Sequence, residues 1–416
     1  MELSMTPLDS SPLLSAYEGQ DEVFVSAFSI LREAIAQRAF PGASIAVTHQ
    51  GHIVALKAFG HFTYDEVAPL PASFARSGQD AVDSSTLFDL ASLTKVVATT
   101  TMAMLLYERG LLDLDAPAAA IVPEFVSDTE KDPRRREVTL RMLLAHSSGI
   151  PAYEKLFLKA PTRDQLLHSA FTMPLTADPG IRAEYSDIGF IILGIALERL
   201  ADESLDRFCQ REIFSPLAMT NTTFNPPQEI RPQIPPTADE REGPCGSDTP
   251  VRQQPKALPP PSGSDHNARS TFRNRLIQGE VYDENTSVLG GIAAHAGLFS
   301  TASDLAKFAH SMLNGGSPIL RPETVSLFTR RESTPAATSR ALGWDTPSSP
   351  SQSGKHFFPR SFGHLGYTGT SLWIDPVRQL SVTLLTNRTW PDCLNHAIKQ
   401  IRPRFHDAII ESLNLV

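Results

Sequence analysis

From Val96 to Tyr107 the chain runs VVATTTMAMLLY, twelve residues without a charge, directly after Lys95. A helix apolar around most of its circumference must be packed on nearly every side, so this stretch calls for structure on more than one flank. It also puts the Lys95 amine at the edge of a buried region. Burial disfavours the charged form of an amine and lowers its pKa from about 10.4. Three residues earlier stands Ser92, on the same helical face and within the reach of that amine. A serine in the first turn of a helix also meets unpaired backbone N–H groups and the positive end of the helix dipole, both of which favour developing negative charge. SxxK arises often by chance, so this pair needs independent support.

Two other stretches supply chemistry. In DPGIRAEYSDIGF, Pro179 and Gly180 make a turn, Tyr185 follows in a loop and Asp187 precedes an apolar helix. Taken alone, Asp187 reads as a helix cap and Tyr185 as a half-buried packing residue. Beside a lysine, the phenolate of Tyr185 would be stabilised as a general base toward a serine. In FGHLGYTGTSLWIDP, Gly363, Gly366 and Gly369 lie along an incipient strand and permit close approach of another backbone; the plain alternative is a kinked edge strand.

The rest of the chain suggests how these pieces are held. Residues 21–38 carry Val23, Ala27, Ile30, Leu31, Ala34 and Ile35 at helical spacing, and ASIAVTHQGHIVALKAFG reads as a hairpin around Gln50 and Gly51. Helical signals dominate from Ser92 to about Leu200, and β-type runs return in TSLWIDP and LSVTLLTNR before a last helix from about Pro391. Strands near both ends around a helical block predict an α/β (α+β) fold: an antiparallel sheet flanked by N- and C-terminal helices, with an inserted all-helical lobe. The expected division is a disordered N-terminus over 1–20, a sheet domain from 21–90 plus 285–416, a helical lobe over 91–225, and a Pro-rich loop or flap over 226–284. A cleft between the lobes is the natural ligand site.

Bulk properties narrow the partners. Forty-six acidic against 37 basic residues give a net charge of -9, which disfavours attraction to nucleic acid or anionic lipid. Cys209, Cys245 and Cys393 are scattered, so neither a disulfide framework nor a zinc knuckle is expected. The 12 histidines include no HExxH, and GxSxG and GxxxxGK[ST] are absent; no metal or cofactor is expected. The N-terminus lacks a signal-peptide pattern and no apolar run reaches the roughly 18 residues of a membrane span, so the chain as written reads as cytoplasmic. His146, after an apolar stripe, reads as a structural residue at a helix end; His295, among small residues, has room near the cleft.

Taken in order, SLTK, YSD and HLG resemble the serine β-lactamase and penicillin-binding protein superfamily, in its class C-related branch. LLAHSSGIP, GLLDLDAPAAAIVPEF, IFSPLAMTNTTF and AGLFSTASDLAKF are further matches, and the likeness runs from about residue 25 to 400. The resemblance implies Ser92 as acyl-forming nucleophile, Lys95 as its proton partner and Tyr185 as base and then acid. It sets HLG, 364–366, where the family has KTG or HTG, with the N–H groups of Ser92 and Tyr367 as the oxyanion hole; a register on Tyr367, Thr368 and Gly369 is the alternative. His364, Gly366, Tyr367 and Asp187 are then substrate-binding candidates. Asp187 stands for the family's asparagine and is expected to keep Lys95 charged. His364 stands for a permanently charged lysine, so binding of a substrate carboxylate would weaken above its pKa of about 6.5, and Leu365 removes a hydroxyl.

The function implied is a serine hydrolase acting on a small ester, amide or peptide through an acyl-enzyme. The alternatives are a D-alanyl-D-alanine carboxypeptidase or weak β-lactamase, and an inactive scaffold of the same fold. Oligomeric state is left open.

Overall fold

The hairpin foreseen at Gln50 and Gly51 forms as a two-residue turn in which both residues have positive φ, 49° and 79°, the backbone that matches the twist of the strands it joins. The structure is a computed structural model and describes residues 12–64, 80–127, 132–241 and 272–416. In chain order its strands are β1 (Leu14–Ser15), β2 (Gly42–His49), β3 (His52–Gly60), β4 (Phe88–Asp89), β5 (Thr223–Phe224), β6 (Pro236–Asp239), β7 (Leu276–Gln278), β8 (Leu298–Ser300), β9 (Phe362–Leu365), β10 (Ser371–Asp375) and β11 (Leu380–Thr386). The helices that matter for the site are α1 (Val25–Ala36), α2 (Thr101–Glu108), α3 (Leu140–Leu144), α4 (Asp187–Ala201), α5 (Ala302–Leu313) and α6 (Ile398–Ser412).

The main sheet has the order β1-β3-β2-β11-β10-β9. Its central pairing joins β2, near the N-terminus, to β11, near the C-terminus, so the two ends of the chain close one sheet. All its pairings are antiparallel except β1 with β3. Side chains alternate across it as the pleat requires. Ala43, Ile45 and Val47 of β2 and Leu380, Val382 and Leu384 of β11 face outward. There they pack against Phe28 and Leu31 of α1 and Ile401, Phe405 and Ile409 of α6. Ala46, Leu372, Ile374 and Leu385 face the other way, onto Leu305, Ala306 and Ala309 of α5, and this core continues without a break into Met102 and Leu106 of α2 and Ile188 and Ile192 of α4. The fold is the β-lactamase/transpeptidase-like α+β architecture.

Several details differ from the sequence reading. Leu14 and Ser15, inside the segment expected to be disordered, pair with His52 and Ile53; residues 1–11 lie outside the described residues. Thr223–Phe224, assigned to the helical lobe, is a strand on β8, whose other neighbour is β4. Part of the Pro-rich stretch pairs as β6 with β7 and is buried, because Pro236 occupies the first strand position, where no ladder donor is missed. The PPP at 259 lies outside the described residues. The last helix starts at Ile398, not near Pro391.

The Phe28 ring is fully buried and meets Phe59 edge-on at 5.4 Å. Phe28→Ala should destabilise the protein by about 3–5 kcal/mol, read as a lower denaturant midpoint at unchanged m-value; an unmoved midpoint would show that this face contributes little.

Candidate active site

The turn that carries Ser92 is held in an unfavourable conformation by one carboxylate. Ala91 has φ 47°, which costs an L-residue roughly 1–2 kcal/mol. Asp89, buried at the end of β4, accepts from Ala91 N at 2.8 Å and from Tyr282 N at 2.6 Å. Burial pushes the Asp89 carboxyl up to about 6, while these backbone donors oppose the rise. The spacing of an acidic side chain two residues before a turn amide was legible in FDLAS, and the sequence reading passed over it. Ser92 lies in a tight turn, Ala91–Leu93, rather than in an α-helical first turn, and a wide turn over Lys95–Thr100 follows before α2 begins. Thr94 Oγ1 donates to Ala91 O at 2.7 Å and accepts from Leu298 N at 3.1 Å; Thr99 Oγ1 donates to Ala294 O at 2.7 Å. These tie the turn to the β8 region.

Lys95 has 0% exposure. Its Nζ is 3.0 Å from Ser92 Oγ, 2.6 Å from Asp187 Oδ1 and 2.9 Å from the carbonyl of His295. Tyr185 donates its hydroxyl to Ser92 Oγ at 2.7 Å, and Nζ lies over the Tyr185 ring at 4.8 Å. Asp187 is free to reach the amine because Ser186, not Asp187, caps α4, accepting from Gly189 N at 2.9 Å. Asp187 pulls the Lys95 pKa upward as expected, but burial lowers it and outweighs that pull. Burial, with Asp187 nearby, pushes the Tyr185 phenol well above its ordinary value. Both shifts favour an uncharged pair. The three partners of Nζ, the Ser92 hydroxyl, the Asp187 carboxylate and the His295 carbonyl, suit the three donors of an ammonium or the two donors and lone pair of a neutral amine.

Burial also holds His146 and His364 well below the ordinary histidine pKa. His146, at the end of α3, is buried, accepts from Ser186 N at 3.0 Å through Nδ1, and packs against the Tyr185 ring at 4.7 Å and the Phe190 ring at 5.0 Å. It holds the loop that carries Tyr185, the structural part expected of it. His295 lies beside the cleft, with Nε2 2.9 Å from Asp283 Oδ1. His364 is 4% exposed, its Nδ1 lies 2.8 Å from Leu365 O, and its Nε2 is buried without a protein partner. Burial, with Lys95 and Arg340 adding to it, pulls its pKa well below 6.5. A charged His364 that loses a carboxylate near that pH is therefore not what this pocket contains. Besides Arg388 and Arg402, the pocket is lined by Arg340, whose guanidinium lies 5.4 Å from the Tyr185 ring and 3.8 Å from Asp345. Its local sequence, SRALGW, carries no pattern that points to the site.

β9, the edge strand, brings HLG alongside. Beyond it the chain turns back, with Gly366 N donating to Thr370 O at 2.8 Å. The turn is bolted to the nucleophile segment: Thr368 Oγ1 donates to Asp89 O at 2.8 Å and Thr370 Oγ1 to Leu90 O at 2.9 Å. A Cβ on Gly366 would lie 2.5 Å from Leu90 O, so glycine is required for the approach. Ser92, Tyr185, Asp187, Arg340, His364, Leu365, Gly366 and Tyr367 all line one cavity of about 710 Å³. Thr368 is fully buried by its bond to Asp89, which fits the register on Gly366 and Tyr367 better than the later one. Phe157, Leu158 and Phe272 make an apolar wall. Among the described residues no cluster of His, Cys, Asp or Glu is arranged to hold a metal, and no helix is long and apolar enough to cross a membrane.

The sequence and fold have relatives. The chain is 32% identical over 368 residues to the "N-acetylmuramyl-L-alanine amidase" of Bacillus subtilis (strain 168), covering 84% of this chain and 77% of that protein. It is 31% identical over 373 residues to the "Putative D-alanyl-D-alanine carboxypeptidase" of Escherichia coli (strain K12), covering 84% and 79%. Among solved structures, EstCE1, "a hydrolase with promiscuous acyltransferase activity", superposes with a TM-score of 0.70 at 19% identity over 94% of this chain and 99% of that one. A class C β-lactamase from Rhodobacter sphaeroides gives 0.63 at 20% identity over 94% and 99%. The Beta-lactamase family model matches residues 28–401, and the chain that carries this Ser92–Lys95–Tyr185 cluster belongs to the Beta-lactamase family of serine hydrolases.

Proposed function

We propose that the protein hydrolyses an ester or amide through an acyl-enzyme on Ser92. The observation that carries the reading is the pair of contacts on Ser92 Oγ, 3.0 Å to the buried Lys95 amine and 2.7 Å to the Tyr185 hydroxyl. As the Oγ–carbon bond forms, the Ser92 proton passes to the neutral Lys95 amine. The Tyr185 phenol gives its proton to the leaving oxygen or nitrogen as the carbonyl–leaving-group bond breaks. The resulting ammonium and phenolate then exchange a proton and restore the neutral pair. Water repeats the sequence in reverse to release the acid. The directions in which burial moves Lys95 and Tyr185 make the lysine the base and the tyrosine the acid of acylation. The N–H groups of Ser92 and Tyr367 would hold the oxyanion, each such donor being typically worth about 3–4 kcal/mol.

The apolar wall and the neutral His364 favour an uncharged ester with a sizeable acyl group. A second reading, cleavage of a peptide that ends in a carboxylate, is favoured by Arg340 in the cavity and by the names of the amidase and carboxypeptidase relatives. An inactive scaffold is opposed by the intact cluster.

A fluorophosphonate probe should label the native protein and not Ser92→Ala; native protein that stays unlabelled would favour the scaffold. On a panel of p-nitrophenyl esters, a chromogenic cephalosporin and a D-alanyl-D-alanine peptide, Tyr185→Phe should slow ester turnover by about 10²–10⁴, and equal rates would remove the phenol from the mechanism. Arg340→Ala should spare the esters, and loss of peptide turnover alone in that variant would select the second reading. Removing the Asp187 carboxylate takes away the charge that opposes the fall in the Lys95 pKa, so the base becomes available at lower pH. The acid limb of a plot of labelling rate against pH should move down by on the order of one unit in Asp187→Asn; an unmoved limb would show that Lys95 is not the group it reports.

A further inference from the structure

Arg402 lies on α6, is 5% exposed and borders the same cavity as Ser92. Among the described residues it pairs with no carboxylate. Its Nη2 donates to Gly366 O at 2.7 Å and to Thr370 O at 2.9 Å, and its buried Nε has no partner. A guanidinium kept in the interior with only carbonyl oxygens for company is costly, and a structural tie between helix and strand is available from apolar packing alone. The choice of carbonyl suggests what the charge is for. Gly366 O and Tyr367 N–H belong to the same peptide unit, so a cationic donor on the oxygen draws electron density from the nitrogen and strengthens that N–H as a donor. Nearby, Arg388, 4% exposed, donates from Nε to Tyr367 O at 2.7 Å and from Nη1 to Cys393 O at 3.0 Å. Both carbonyls flanking the Tyr367 nitrogen are therefore held by arginines. The threonine bonds from Thr368 and Thr370 to Asp89 O and Leu90 O fix the same turn relative to Ser92.

We propose that Arg402 is a positioning residue for acyl transfer, holding and polarising the Gly366–Tyr367 peptide through its carbonyl oxygen so that the Tyr367 N–H stabilises the oxyanion formed at Ser92. This rests on the acyl-enzyme reading above. The oxyanion carries full negative charge only in the tetrahedral state, so the contribution of Arg402 falls on that state and not on binding of the planar substrate.

The test compares the native protein with Arg402→Gln and Arg402→Lys, using a p-nitrophenyl ester for kcat and KM, phenylboronic acid as a tetrahedral adduct of Ser92, and thermal melting. Arg402→Gln should lower kcat about 10–100-fold, less than deletion of a whole oxyanion donor, with KM changed by less than about threefold. The boronate Ki should rise by a factor similar to the loss of kcat. Arg402→Lys, which keeps the charge but reaches the two carbonyls less well, should fall between the two. A folded Arg402→Gln with native kcat and boronate affinity would overturn the proposal, as would a kcat loss with no change in boronate affinity. If Arg402→Gln does not fold, Arg402→Lys decides by the same pair of readings. A native protein that neither turns over the ester nor binds the boronate would overturn the acyl-enzyme reading itself, and this one with it.

Discussion

The site depends on the burial of one primary amine. Lys95 has no exposed surface, and an amine cannot be taken out of water unless its hydrogen-bonding capacity is met in the interior. The three groups that meet it come from separate parts of the chain: the Ser92 hydroxyl one turn away, the Asp187 carboxylate at the start of α4, and the His295 carbonyl before β8. The helical layer, the small β4–β8–β5 sheet and the nucleophile turn are thereby required to meet at one point. From Val96 to Leu106 the run after Lys95 is buried, its apolar residues in a core that the main sheet and the helices share, and this makes the meeting point rigid.

The same desolvation sets the protonation of the whole cluster. Burial lowers Lys95, His146 and His364 and raises Tyr185; in each case it is the charged form that is disfavoured. Burial thus biases these ionisable residues toward their uncharged forms, which suits the passing of protons among a hydroxyl, an amine and a phenol in the interior. Arg340 remains the permanent cation beside Tyr185, engaged with Asp345 at 3.8 Å.

The edge strand contributes backbone geometry rather than side-chain chemistry. Thr368 and Thr370 fasten its turn to the carbonyls of Asp89 and Leu90, and Arg402 and Arg388 hold the carbonyls of Gly366 and Tyr367. Gly366 is the residue without a Cβ where one would strike Leu90 O. Asp89 does the corresponding work for Ser92 by holding Ala91 at positive φ.

Local pattern by itself determined the elements and the candidate reacting groups. Gln50–Gly51 specify a hairpin, Thr301 caps α5 through Asp304 N, and SLTK, YSD and HLG name Ser92, Lys95, Tyr185 and His364, because turn chemistry, helix periodicity and short motifs are written in neighbouring residues. The desolvation of Lys95 was legible in the apolar run that follows it, but how far it would outweigh Asp187 was not. The expectation of a titrating His364 followed from the resemblance, whereas a pKa responds to how much water the whole fold removes. Arg340, Arg388 and Arg402 went unnoticed for the same reason: nothing adjacent to them marks a site, and only the tertiary structure, by folding the C-terminal helix, the segment after β11 and the 339–345 loop around the edge strand, brings their charges to the place where a reaction would generate the opposite one.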